Sequence, residues 1–319
     1  MEDKLKEYNP NLSYYSLRTY ISLFNTICKK IGEVFNDDKK YFKIHKEAIM
    51  NYINTIGSQH SRKTKLAALI VMGKAYNANE KDLKPYLDEI EKLSHDIETR
   101  YQSHEMSDDE EENWMSIPEL QELIAKVEKR LIKIADVDTH KEYITWMFYF
   151  LLSMIVNGKY ALRNNWVNMK IIKTSDIPID KTHNYIIWNR KTNKISGSII
   201  LNSYKTVKTY GVKTIPITQP ELLSLLPKIQ SLIDKKSNNG YLIVKADGDS
   251  IGQDQFSKWL ASLFKQYSGK HLTTTSLRHI IASSLWSKED MKKQEEREKT
   301  ADIMGHSEKE QYEVYAKKQ

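Results

Sequence analysis

The chain has 319 residues, 40% of them hydrophobic, and 49 Lys+Arg against 42 Asp+Glu give a net charge of +7. That length suits two ordinary domains, and 11 glycines with 7 prolines are too few for a collagenous, low-complexity or loop-dominated all-β chain. The single cysteine, Cys28, excludes an internal disulfide framework and a paired-cysteine zinc site, and it fits a reducing compartment.

A pI near 9.0 permits nucleic acid or an anionic membrane as a partner without requiring either. The most apolar run, Ile144 to Val156, is far short of the ~20 residues a membrane span needs. The N-terminus, Met1-Glu2-Asp3-Lys4, is charged and lacks the apolar core of a secretory signal. These features predict an intracellular protein that is neither secreted nor membrane-bound.

The elements follow in chain order. Residues 12–35 predict a helix, with Ser13 or Ser16 as cap and Leu17, Tyr20, Ile21, Phe24, Ile27 and Ile31 at helical spacing. A second helix spans about 46–56, and Gly57-Ser58 ends it. Ser61-Arg62-Lys63-Thr64-Lys65 then opens a third over 66–76. Basic and hydroxyl residues at a helix start suit a phosphate, which makes Arg62, Lys63 and Lys65 candidate backbone contacts to a nucleic acid. Pro85 starts a stretch over 86–101. The acidic run 107–112 reads as an exposed hinge. Helices over 119–134 and 138–157 follow, the second carrying an aromatic stripe that reads as core.

From residue 166 the period shortens. Short strands are expected at 167–173, 185–188, 198–201 and 214–217, and again at 241–244. Helices are expected at 219–234, 253–266, 275–287, 290–304 and 308–317. The fold class is therefore mainly α with a small antiparallel sheet (α+β). No Gly-rich phosphate loop, His-Glu-x-x-His motif or paired-Cys site is present in the sequence, so neither a metal nor another cofactor is expected.

The C-terminal third carries the informative motifs. Ser276-Leu277-Arg278-His279 opens an apolar helix, Met304-Gly305-His306-Ser307 follows, and Tyr315 stands nine residues beyond His306. Upstream, Leu162-Arg163 stands after the apolar helix and before the first strand, and Tyr204-Lys205-Thr206-Val207-Lys208 precedes the strand at 214–217. In this order the set resembles the tyrosine recombinase (phage integrase) family.

The resemblance implies a helical core-binding, DNA-clamping domain over 1–104, an acidic linker and connecting helix over 105–134, and a catalytic domain over 135–319. It implies catalytic roles for Arg163, Lys205, Arg278, His306 and Tyr315, with Lys208 and Lys213 as alternatives to Lys205. Thr275 stands where the family usually has histidine, three residues before the second arginine. Thr275 and Lys208, with Arg62, Lys63 and Lys65, become candidate substrate contacts. The implied activity is cleavage and rejoining of double-stranded DNA through a covalent 3′-phosphotyrosyl intermediate, without metal or ATP. The implied assembly is a homotetramer on two duplexes. Thr275, and Asn164-Asn165-Trp166 where an acidic residue commonly follows the first arginine, suggest a divergent branch. The recombinases of large DNA viruses or their mobile elements are such a branch, and host nucleus or cytoplasm would then be the location. A type IB topoisomerase-like relaxase and a catalytically inactive DNA-binding protein are the alternative readings of the same set.

Overall fold

The computed structural model describes residues 1–319 apart from 104, 135–136, 175–179, 286–290 and 318–319, and apart from the side chains of 168, 291–295, 308 and 313. The first residue of the expected catalytic segment and the junction between the helices expected at 275–287 and 290–304 lie outside the described residues. The chain divides into two compact units, Met1–Ser103 and His104–Gln319. It is mainly helical with one small sheet.

The first unit contains α1 (Glu2–Tyr8), α2 (Tyr14–Ile31), α3 (Tyr41–Ile44), α4 (Lys46–Asn54), α5 (Gln59–Ala75) and α6 (Glu80–Ser103). Local chemistry sets the helix ends. Ser13 accepts from the Ser16 amide to start α2, and Gly32, at φ 77°, ends it in the left-handed region that a Cβ disfavours. Ser58 caps α5 in the same manner. Leu17, Phe24 and Ile27 of α2, Leu66, Leu69 and Met72 of α5, and Leu83, Tyr86 and Leu93 of α6 form one apolar core. Pro85 lies inside α6 instead of starting it. Asn79 supplies the start, its side chain accepting from the Lys81 amide at 3.0 Å.

The second unit opens with α7 (Asp108–Asn113) and α8 (Ile117–Leu131), followed by α9 (His140–Val156). The segment 105–134, expected as an acidic linker and connecting helix, is helical in both parts. Ser107 and Glu110 cap each other reciprocally and turn the acidic run into a short helix. Asn113 then accepts from the His271 amide at 2.7 Å, which fixes α7 to the second unit. Leu120, Leu123, Ile124, Val127 and Leu131 of α8 join the same core as Phe148, Phe150 and Leu151 of α9. An acidic composition marked the exposed face of α7 and hid its anchor.

A 3-10 turn, Asn164–Asn168, leads into β1 (Met169–Lys173), β2 (Asn184–Lys191) and β3 (Lys194–Leu201); α10 (Val207–Tyr210) then precedes β4 (Lys213–Ile217). The sheet order is β1-β2-β3-β4. It is mixed, not purely antiparallel. Met169 stands opposite Asn184 and Lys173 opposite Trp188, so β1 and β2 run parallel, whereas β2–β3 and β3–β4 are antiparallel. Residues 241–244 make isolated bridges to Lys170 and Ser250 and not a sheet strand. The chain ends with α11 (Pro220–Lys236), α12 (Gln253–Ser268), α13 (Thr274–Leu285), α14 (Met291–Met304), α15 (Glu308–Glu310) and a single π-helical turn, Gln311–Tyr315.

The burial of α8 makes a direct prediction. Leu120 is fully buried, and Leu120→Ala should lower the unfolding free energy of the second unit by about 2–5 kcal/mol. A solvated linker would tolerate the change within about 0.5 kcal/mol. Chemical denaturation of the variant against the parent chain decides between them.

Candidate active site

Four elements of the second unit converge on Tyr315. The π turn presents its ring, the segment after α9 brings Arg163, α13 brings Arg278, and the turn after α14 brings His306.

Arg163 Nη2 donates to the Tyr315 hydroxyl at 2.8 Å. The Arg278 guanidinium lies over the Tyr315 ring, 4.8 Å from its centroid. The His306 ring stacks on the same tyrosine at 4.9 Å and 12°. These four expected residues form one cluster.

Arg278 is 1% exposed, although an arginine is almost never fully buried without a partner. Its hydrogen bonds go to neutral acceptors, Ala161 O at 2.7 Å and Met304 O at 3.4 Å. Its Nε has no hydrogen-bond partner. Burial pulls its pKa below the ordinary arginine value, and Tyr315 acts in the opposite direction. Among the described residues, no carboxylate forms an ion pair with Arg163 or Arg278. Glu310 acts on Arg278 only through its field. Two guanidinium groups thus meet at one phenol without a direct counter-ion.

His306 responds to that charge. Burial first, then Arg278, lowers its pKa to about 4, with further repulsion from Arg163 and Lys213. The ring is therefore neutral at pH 7. Its Nδ1 stands 3.1 Å from Ser307 O, and a carbonyl only accepts, so Nδ1 carries the proton. Nε2 is then a bare acceptor, and it is buried without a hydrogen-bond partner. The Gln311 side chain, one turn before Tyr315, is likewise fully buried with its amide unpartnered.

The lysines divide. Lys205 is exposed in the β3–α10 connection. That connection is tied to the His306 turn, because Thr206 Oγ1 donates to Gly305 O at 3.3 Å. Gly305 has φ 73°, and a Cβ there would meet Thr206 Oγ1 at 3.0 Å. The left-handed conformation favours glycine, and the close approach of Thr206 leaves little room for a side chain. Lys213, on β4, is buried and donates to Asp302 Oδ1 at 2.6 Å and to the Asp302 carbonyl. Lys208 is exposed on α10.

The other expected contacts lie elsewhere. Thr275 is exposed at the first turn of α13 and lines a cavity of about 110 Å³ with Glu110, His271 and His279. Its neighbour Thr274 reaches the arginine segment instead, donating to Asn164 Oδ1 at 3.1 Å. Arg62, Lys63 and Lys65 belong to the first unit. Arg62 Nε donates to Ile56 O, and its Nη2 donates to Asn54 O at 3.1 Å. That guanidinium closes the C-terminus of α4, whereas Lys63 and Lys65 stay half-exposed on α5.

Sequence reasoning missed Asp302, Thr206, Asn164 and Gln311 as parts of this neighbourhood, and it treated His279 as a bystander. Only His279 left a signal: a polar residue on the buried side of an apolar helix. The others act through backbone or side-chain bonds between elements distant in sequence.

Among the described residues, no group of three or more His, Cys, Asp and Glu is placed to hold a metal ion, and no helix is long and apolar enough to cross a membrane.

No family model matches the chain, and no curated protein does. Among solved structures, the "Crystal structure of XerA recombinase" aligns with 98% of this chain and 91% of that one, at 16% identity and a TM-score of 0.41.

The two buried histidines give the fold a pH dependence. His279, like His306, has its pKa lowered to about 4, chiefly by burial. In the unfolded chain both would titrate near 6.5. Between these values the unfolded state binds protons that the folded state refuses, so stability is complete above pH 6.5 and falls as pH drops towards 4. The loss is on the order of 3 kcal/mol per histidine at the acid end. Thermal unfolding from pH 7 to 4.5 should show a falling midpoint. Replacing both histidines with Asn should flatten that slope; an unchanged slope would refute this origin.

Proposed function

We propose that this chain cleaves and rejoins DNA strands as a tyrosine-type site-specific recombinase, with Tyr315 as nucleophile. The observation that carries the reading is the Tyr315 hydroxyl in the grip of Arg163, beside the buried Arg278 and without a direct counter-ion. A phosphodiester fills the missing role. Its non-bridging oxygens accept from both guanidinium groups, whose forked donors match that geometry. Charge on those oxygens in the transition state meets donors already in place.

The step balances within these residues. Tyr315 Oη attacks phosphorus in line, and the bond from phosphorus to the 5′ oxygen breaks. The phenol proton passes to an acceptor, and the free His306 Nε2 is the one the cluster offers. The departing 5′ oxygen takes a proton from a lysine, for which Lys205 is the candidate. The product is a 3′-phosphotyrosyl ester. Rejoining runs the same steps backwards, so no metal or nucleotide enters the balance. Double-stranded DNA is the partner this reading requires, and a tetramer on two duplexes is the assembly it implies. The half-exposed Lys63 and Lys65 and the exposed Lys208 are candidate cations to follow the flanking phosphates and make binding salt-dependent.

A nicked duplex substrate that loses a short strand on cleavage traps the ester as a protein–DNA adduct stable to denaturant. The parent chain should form it, and Tyr315→Phe should form none. Arg163→Ala and Arg278→Ala should slow adduct formation by about 10²–10³-fold. Lys205→Ala should slow it by about 10²–10⁴-fold. A substrate with sulfur at the bridging 5′ position, whose leaving group needs no proton, should restore the Lys205→Ala rate. Adduct from Tyr315→Phe would discard the nucleophile, and recovery with sulfur in Lys213→Ala alone would move the acid to Lys213.

A further inference from the structure

His279 neighbours Arg278 in sequence and plays no part in the chemistry above. It is 9% exposed, and its Nδ1 stands 3.0 Å from the backbone carbonyl of Tyr315. The carbonyl only accepts, so Nδ1 must carry hydrogen. Burial and the nearby Lys317 keep the ring neutral, with a pKa lowered to about 4. One helical turn later, Ser283 Oγ accepts from the Lys317 amide at 2.6 Å.

These two bonds form a matched pair. His279 and Ser283 are spaced i and i+4, so they share one face of α13. Between their backbone partners lies Ala316, which is extended at φ −73° and ψ 135°. In an extended chain the carbonyl of one residue and the amide two residues on point to the same edge. The face of α13 therefore reads the edge of the chain at Tyr315 and Lys317 as a neighbouring strand would. A third hold comes from α7, where Glu110 Oε1 stands 3.8 Å from Lys317 Nζ. The Glu110 carboxylate is itself fixed by the Ser107 amide and hydroxyl, each at 2.9 Å.

We propose that His279 is the positioning residue for the nucleophile. Its Nδ1–H fixes the Tyr315 carbonyl, and Ser283 fixes the Lys317 amide, so that the phenol is held between His306 and Arg278. This rests on the strand-cleavage reading above and adds a residue which that reading does not use. In-line attack tolerates little error, and a displacement of about 1 Å costs on the order of 10²-fold in rate.

The test separates hydrogen bonding from space-filling. Asn at 279 places its amide N–H close to the position of Nδ1, and Gln places it farther out. His279→Ala should slow adduct formation on the nicked substrate by about 10²-fold with DNA affinity unchanged. His279→Asn should recover most of the rate and His279→Gln should not. Ser283→Ala should give a smaller loss of the same kind. Hydrogen exchange of the peptide covering 312–319 should quicken in the Ala and Gln variants and return to the parent rate in Asn. An adduct rate for His279→Ala within twofold of the parent, or equal recovery by Gln and Asn, overturns the proposal alone. Absence of adduct from the parent chain, with its 312–319 exchange still slowed by His279, overturns the cleavage reading and the positioning role with it.

Discussion

The second unit is organised around a buried charge that no ion pair among the described residues neutralises. Placing a guanidinium at 1% exposure is costly unless its hydrogen bonds are made and its charge is met. Arg278 meets the first condition only in part, on two carbonyls, and the second through the face of the Tyr315 ring. Arg163 spends a donor on the hydroxyl of that tyrosine. The consequence appears on His306, which lies in the repulsive field of both arginines and of Lys213 and stays neutral. A fold optimised only for stability would have placed a carboxylate here. The cluster brings two arginines, an imidazole nitrogen without a hydrogen-bond partner and a phenol together, and on the strand-cleavage reading a bound phosphate would reverse the penalty on His306 by favouring its proton.

One helix holds that arrangement. Along α13, Thr274 reaches Asn164 beside Arg163. Arg278 bonds the carbonyls of Ala161 and Met304 and so joins the segments that carry Arg163 and His306. His279 and Ser283 hold the chain at and after Tyr315. Every member of the cluster is thus referred to the same rigid element, which is what a constellation held to a fraction of an ångström needs. The apolar face of α13, with Leu277, Ile280 and Ile281 in the core, anchors the helix itself. Core packing sets where α13 lies, and α13 sets the site.

How much of this the sequence shows depends on the range of the interaction. Helix starts at Ser13 and Ser116 are written in capping residues and turn up where local chemistry puts them, whereas α5 begins at Gln59 under a Ser58 cap, ahead of the opening expected at 61–65. The apolar periodicity of α8 and α9 likewise marks core. The order Arg163, Arg278, His306, Tyr315 suggested a common site, and these residues do meet. Long-range facts were invisible. Nothing local says that β1 and β2 run parallel, because register is set by where a connection returns. Nothing in an acidic run says that Asn113 will anchor it to the His271 amide. Arg62 read as a phosphate contact because its bonds to Asn54 and Ile56, which close a preceding helix, leave no trace in composition.

The two lysines near the His306 turn show how geometry sorts residues that sequence leaves level. Both stand in Lys-Thr pairs close to the same strand. Lys213 is buried, and its ammonium donates to the carbonyl and the carboxylate of Asp302. Both acceptors belong to one residue, so the nitrogen is not left free to meet a departing oxygen. Its bonds instead brace the end of α14, where the Gly305 amide also returns to Asp302 O at 3.0 Å. Lys213 therefore supports the turn that carries His306. Lys205 has the complementary surroundings. Its side chain is exposed, and Thr206, the next residue, ties its backbone to Gly305. Among the described residues its amine makes no ion pair, and it stands on a segment tied to the His306 turn. On the strand-transfer reading the neighbours therefore divide one task, Lys213 holding the histidine turn in place and Lys205 supplying the proton.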